Sequence, residues 1–219
     1  MTPDERLAVV VLAGGRSRRM GSDKALLALP DGRSALQAVL AAARTVAGQV
    51  LLSVDTPEHA ESLRAVLDAP AEVVLDRDPG DGPLAALGQA LRVVTAPAVL
   101  LLAVDMPLVT PELLHGIHQA WLDGQADGVQ VAAPVVQGIV QPMPACYAST
   151  LAAAVHQLVQ AGRRSLRSLF DSPSIRLHTL DEAALRRFDP DLLGLARADT
   201  PEAWDELCAR AKRSSLGLA

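Results

Sequence analysis

The segment Leu12-Ala13-Gly14-Gly15-Arg16-Ser17-Arg18-Arg19-Met20-Gly21-Ser22-Asp23-Lys24 carries three glycines and four cations, Arg16, Arg18, Arg19 and Lys24. It follows the apolar run Leu7–Leu12, which has the character of a buried strand. Glycine lets backbone N–H groups approach a ligand closely, and successive N–H groups form a concavity that binds anions. The cations supply counter-charge. Arg can grip two oxygens at once, while Lys is a mobile point charge that follows a phosphoryl group. A strand opening into such a loop is suited to a polyphosphate, with Arg19 and Lys24 as the groups that meet it and Arg16 and Arg18 peripheral.

The spacing excludes two common phosphate loops. A Walker loop requires Gly, four residues, then Gly-Lys-Ser/Thr. Here five residues separate Gly15 from Gly21, and Ser22 follows. The dinucleotide fingerprint Gly-x-Gly-x-x-Gly is not met by Gly14-Gly15 either.

A second chemical element is Asp105. It ends Ala98–Val104, the most apolar strand-like run of the chain. Magnesium takes oxygen ligands, commonly one or two carboxylates together with substrate phosphates. A carboxylate at the end of a buried strand suits that role, and Thr110 already serves as cap for the next helix. Arg163, Arg164 and Arg167 form a second basic cluster along one helical segment, either a phosphate contact or a solvated helix face. His115, His118, His156 and His178 have no spacing that suggests catalysis.

The elements that must position these groups alternate. Strands are expected at Leu7–Leu12, Val50–Val54, Glu72–Leu75 and Ala98–Val104, and helices at Ala35–Val46, Pro57–Leu67, Pro83–Val93 and Pro111–Leu122. Thr56-Pro57 and Thr110-Pro111 are helix starts. Further strands are expected at Val129–Pro134, Ile139–Tyr147 and Ile175–Thr179. Helices follow at Thr150–Ala161, Arg164–Phe170 and Thr200–Arg210. This alternation implies an α/β fold, a Rossmann-like three-layer sandwich with a mainly parallel sheet. In such sheets ligands lie beyond the carboxyl ends of the strands. The loop at Ala13–Lys24, the loop at Asp76–Gly82 and Asp105 all follow strands, so they converge on one edge.

Composition bounds the rest. The 219 residues suit one domain, residues 1–212, with 213–219 expected as a frayed tail. Aromatics at 2% and a net charge of −5 argue against nucleic-acid binding. Cys146 and Cys208 show neither zinc nor disulfide spacing. Pro97–Val104 is too short to cross a bilayer, and Met-Thr-Pro-Asp-Glu-Arg lacks a signal-peptide pattern. A cytoplasmic protein without membrane attachment is expected.

The Leu12–Lys24 segment closely resembles the first loop of the nucleotidyltransferases that activate cofactors and sugars. Within that superfamily it looks most like the molybdenum cofactor guanylyltransferases, the molybdopterin-guanine dinucleotide synthesis protein A family. Gly82-Pro83-Leu84-Ala85-Ala86-Leu87 resembles the family's second loop, and Val104-Asp105-Met106-Pro107 its metal-binding Asp-x-Pro. Gln141–Tyr147 and Gly162–Arg167 resemble its later acceptor-side segments.

The resemblance implies the fold of the nucleotide-diphospho-sugar transferases, GTP as donor, molybdopterin as acceptor and Mg2+ as cofactor. Cofactor-delivery proteins or molybdoenzymes are the implied protein partners. Lys24 and Arg19 are the implied catalytic residues. Leu12, Ala13, Gly14, Gly15, Arg19, Lys24, Asp76, Gly82 and Asp105 would bind the nucleotide, and Arg163, Arg164 and Arg167 the acceptor. Where the family carries Asn-x-Asn-Thr-Pro, this chain has Arg197-Ala198-Asp199-Thr200-Pro201. Asp199 is then a second metal ligand, or a carboxylate placed for a helix N-terminus. Arg197 departs from the pattern. Asp76, with Asp78 and Asp81 nearby, is a nucleotide contact or part of a solvated acidic loop. Neither loop holds Asn or Gln, so base reading is expected from backbone groups near Leu12–Gly14 and from the Asp76–Gly82 loop. Two alternatives stay open: a molybdopterin cytidylyltransferase, toward which Asp199-Thr200-Pro201 leans, or another cofactor nucleotidyltransferase of the same fold, and a non-catalytic binder of nucleotide or cofactor.

Overall fold

The structure, a computed structural model, describes residues 2–14, 23–67, 69, 71–76 and 82–215. Gly15, Arg16, Arg18, Arg19, Asp78 and Asp81 lie outside the described residues.

The first half is built from βα units. Strand β1 (Asp4–Leu12) is followed by α1 (Ala35–Val46), β2 (Ala47–Val54), α2 (Pro57–Arg64), β3 (Glu72–Leu75), α3 (Pro83–Val93), β4 (Ala98–Ala103) and α4 (Pro111–Asp123). Helix α1 begins where Ser34 and Gln37 form a reciprocal capping box. Thr56 and Thr110 each accept from the N–H three residues on, with Pro in the first turn. Every residue of β4 is buried, as its uninterrupted apolar run requires of a strand covered on both faces.

The second half adds β5 (Val131–Val136), β6 (Ile139–Val140), β7 (Ala145–Ala148), α5 (Ala152–Gln160), α6 (Arg167–Phe170), β8 (Leu177–Leu180), α7 (Glu182–Leu185) and α8 (Pro201–Ser215). Two expectations are corrected. The strand read through Ile139–Tyr147 is two strands, β6 and β7, because Pro142 and Pro144 lack the N–H a ladder needs. The helix read over Arg164–Phe170 is only Arg167–Phe170, so Arg163 and Arg164 lie in the preceding loop. Helix α8 runs to Ser215, so residues 213–215 continue the helix; 216–219 lie outside the described residues.

The strands form one eight-stranded mixed sheet in the order β3-β2-β1-β4-β7-β5-β6, with β8 on β5. Pairs β1–β2, β1–β4, β2–β3 and β5–β8 are parallel, while β7 runs antiparallel to β4 and β5, and β6 antiparallel to β5. Helices α1 and α4 pack together, as do α3 and α5, giving three layers. The chain leaves β1 toward β2 and β3, then returns to pair β4 on the other side. The strand order therefore reverses at β1, the position where such sheets open a crevice.

A small second cluster matters for the site. Trp204 and Leu207 of α8 pack with Leu29, Ala35, Ala38 and the fully buried Ala198. This anchors the Arg197–Asp199 segment beside the start of α1. No helix among the described residues is long and apolar enough to cross a membrane.

Candidate active site

The carboxyl ends of four parallel strands lie in register. Leu12 faces Ser53 and Ala103, and Val54 faces Leu75. Just past them, Ala13 N–H donates to the Ser53 carbonyl at 2.9 Å, Val104 N–H to Leu12 at 3.0 Å and Asp76 N–H to Val54 at 2.8 Å. The first loop, Asp76 and Asp105 therefore leave one edge together, from β1, β3 and β4.

Gly14 is hemmed in. A Cβ there would lie 3.0 Å from Asp76 Oδ2 and 3.3 Å from the Asp55 nitrogen, so any side chain would push on the ends of β2 and β3. Asp76 is held by Ser53, whose hydroxyl donates to Oδ1 at 2.9 Å.

Lys24 opens a single 3-10 turn, Lys24–Leu26. Its ammonium reaches two carboxylates, Asp199 Oδ1 at 2.5 Å and Asp105 Oδ2 at 3.4 Å. Asp105 is 6% exposed. Both of its oxygens also accept from one guanidinium: Arg197 Nε donates to Oδ1 at 3.1 Å and Nη2 to Oδ2 at 3.0 Å. Burial works against the charge on Arg197, but the hydrogen bonds and charge of Asp105 outweigh it and strengthen the guanidinium's hold on its proton. Two carboxylates thus face two cations across the crevice between β4 and the start of α8.

A divalent cation fits this donor set. Asp105 and Asp199 already converge on one cation, the Lys24 ammonium, and two carboxylates with substrate oxygens complete a magnesium shell. Among the described residues no group of three or more His, Cys, Asp and Glu side chains is arranged to hold a metal ion by itself, so phosphate oxygens and water would supply the remaining ligands.

Gly82 takes φ +83° and ψ 177° to start α3, and a Cβ on it would meet the Arg164 carbonyl at 2.9 Å. That carbonyl accepts from Leu84 N–H at 3.1 Å. The Arg163–Arg167 segment, far away in sequence, is therefore brought against the second loop. The side chains of Arg163, Arg164 and Arg167 are exposed.

A cavity of about 460 Å³ between α3 and α5 is lined by Asp76, Gly82, Gln89, Arg92, His156 and Gln160, among others. Neither loop holds an amide side chain; Gln89 comes from a turn further on. The spacing Gly82, Ala85, Gln89, Arg92 follows one helix face, and that signal is present in the sequence. A larger cavity of about 750 Å³ lies between α1, the start of α4 and the end of α8, and none of Lys24, Asp105 and Asp199 lines it. His59, absent from the sequence-level candidates, sits beside the site with both ring nitrogens on carboxylates. Among the other histidines, His118 is buried and stacked on Trp121, and burial lowers its pKa.

Residues 9–180 match the family model of the MobA-like NTP transferase domain. The chain belongs to the MobA-like NTP transferase family. It is a nucleotidyltransferase. It is 31% identical, over 89% of its length and 95% of the relative's, to a protein of Methanothermobacter thermautotrophicus named "Probable molybdenum cofactor guanylyltransferase". A Mycobacterium bovis protein of the same name is 37% identical over 82% of this chain and 87% of its own. The crystal structure of molybdopterin-guanine dinucleotide biosynthesis protein A from Archaeoglobus fulgidus superposes with a TM-score of 0.79 at 25% identity, covering 94% of this chain and 99% of that one. Like these MobA-like transferases, the chain is a single α/β domain of the nucleotide-diphospho-sugar transferase fold.

Proposed function

We propose that the protein transfers GMP from GTP to the terminal phosphate of molybdopterin, with Mg2+, and releases pyrophosphate. The observation that carries the reading is the convergence of Lys24, Asp105 and Asp199 beyond the ends of β1 and β4. The names of the relatives supply the guanine and the pterin.

In this reaction an acceptor phosphate oxygen forms a bond to the α-phosphorus, and the bond from that phosphorus to the oxygen bridging the α- and β-phosphates breaks, that oxygen leaving with pyrophosphate. The nucleophile is already an anion, so no general base is required. The protein must align two anions and neutralise charge on the leaving group. Magnesium held by Asp105 and Asp199 would supply Lewis-acid neutralisation of the phosphate oxygens. Lys24 follows the charge that develops on the leaving pyrophosphate, and Arg19 of the same loop assists. Arg197 adds a further cation at Asp105. The backbone of Leu12, Ala13 and Gly14 would bind along the nucleotide, with Asp76 and Gly82 at its far side. Gln89 and Gln160 supply amides to a base entering the cavity beside Asp76. Arg163, Arg164 and Arg167 take the acceptor phosphate. A cytoplasmic setting, where GTP is abundant, suits the reaction. The carrying experiment is incubation of the purified protein with GTP, molybdopterin and Mg2+: a guanine dinucleotide of molybdopterin, identified by mass, together with stoichiometric pyrophosphate, supports the reading. Nucleotide binding without pyrophosphate release would favour a non-catalytic binder.

A further inference from the structure

His59 stands in the first turn of α2, where its own N–H donates to the Thr56 hydroxyl at 3.1 Å. Its ring joins two separate segments. Nδ1 lies 2.7 Å from Asp55 Oδ1, at the end of β2, and Nε2 lies 2.8 Å from Asp23 Oδ2. The other oxygen of Asp23 accepts from Ala25 N–H at 2.9 Å, capping the 3-10 turn that begins at Lys24. The side chains of His59, Asp23 and Asp55 are 17%, 26% and 13% exposed, so water competes weakly for these bonds.

A neutral imidazole donates from one nitrogen only and would turn a lone pair toward the second carboxylate. Two carboxylates at hydrogen-bond distance call for a ring that donates from both ends. We propose that His59 is a positioning residue that fastens the Lys24 turn to the end of β2, and that it does so only while both ring nitrogens carry protons.

The contacts then run without interruption from Asp55 through His59 and Asp23 to the Lys24 turn, and from the Lys24 ammonium to Asp105 and Asp199. The carboxylates facing the ring are Asp55 and Asp23; Glu58, the other acid of the first turn of α2, is exposed. Burial opposes charge on the ring, but the hydrogen bonds and charges of Asp55 and Asp23 outweigh it and raise the pKa above its ordinary value. A raised folded-state pKa means that the fastening is complete below the ordinary histidine value and is lost as pH rises through the raised one. The consequence for turnover rests on the nucleotidyl transfer proposed above; the bridge itself does not.

The chain contains only two lysines, Lys24 and Lys212, which makes the test clean. Acylation of the two would be followed by peptide mass across pH 6 to 9, with Lys212 as internal reference, alongside NMR titration of the His59 ring. The expected result is a His59 midpoint above the ordinary histidine value, falling in Asp23→Asn as one of the two carboxylates that hold the proton loses its charge. The Lys24-to-Lys212 reactivity ratio should rise as His59 deprotonates. In His59→Gln it should be several-fold higher already at pH 6 and lack that step. His59→Arg, whose charge does not titrate, should restore protection and remove the step. In turnover, His59→Gln should raise the nucleotide KM more than it lowers kcat. A His59 midpoint at or below about 6.5, or an unchanged Lys24 ratio in His59→Gln, overturns the proposal. Both readouts hold even if the protein turns over no nucleotide, so a failed transferase reading and a failed bridge are told apart.

Discussion

Arg197 grips both carboxylate oxygens of Asp105, at 3.1 and 3.0 Å, where the family pattern carries asparagine. A cation loading must compete with that guanidinium for Asp105. Replacing Arg197 by Asn removes a positive charge close to where the metal would bind, worth on the order of a few kcal/mol at a partly buried site and so about tenfold or more in affinity. Arg197→Asn should therefore lower the Mg2+ concentration that gives half-maximal rate, and should tighten Mn2+ binding to the nucleotide-free protein in calorimetry. Asp105→Asn should act in the opposite sense, with a higher Mg2+ requirement or no activity. Unchanged metal dependence in both variants would remove Asp105 from the metal site.

Lys24→Ala should keep the fold and lose turnover. Removing one preorganised stabiliser of transition-state charge costs about 10²–10³ in rate. Circular dichroism checks the fold, and pyrophosphate release at saturating substrates checks the rate. Turnover near that of the parent would take Lys24 out of the chemistry.

Gly82→Ala introduces a side chain at a backbone conformation that only glycine adopts freely, at a cost of about 1–3 kcal/mol. Its Cβ would also meet the Arg164 carbonyl. The melting temperature should fall by about 2–4 °C for each kcal/mol. The KM for the acceptor should rise with it, because the Arg163–Arg167 segment must shift. A variant as stable as the parent, with both KM values unchanged, would show that this contact carries no function.

Arg164→Ala and Arg167→Ala, made separately, should weaken the acceptor more than GTP. Both side chains are exposed, so their effect on a phosphate is screened by salt and the defect should shrink at high ionic strength. KM measurements for the two substrates at low and high salt test this. Equal loss of GTP affinity would move the cluster to the nucleotide side, consistent with the proximity of Arg164 to Gly82.

Local chemistry explains which parts were legible. Helices α1 and α3 and strand β3 fall where their caps, prolines and apolar spacing place them, because each boundary is written in adjacent residues. The shared edge of Leu12, Asp76 and Asp105 followed from βα alternation alone. The break between β6 and β7 was legible too, since prolines cannot donate to a ladder, but the apolar run around them hid it. Pairings made by the fold were not legible. His59 meets Asp23 across 36 residues, and Arg197 meets Asp105 across 92, and neither spacing follows a secondary-structure period. Helix α6 is short because Leu166 and Leu169 are buried while Arg163 and Arg164 belong to the loop that packs on Gly82.

Guanylyl transfer is decided by the ratio of kcat/KM for GTP to that for CTP, with molybdopterin as acceptor. A site whose buried polar groups pair with one base rejects an analogue that leaves them unpaired, by factors that reach about 10⁴–10⁵. The expected ratio is at least about a hundredfold in favour of GTP, with the guanine dinucleotide as product. A ratio near one, or a preference for CTP, would contradict it and make the protein a cytidylyltransferase of the same fold.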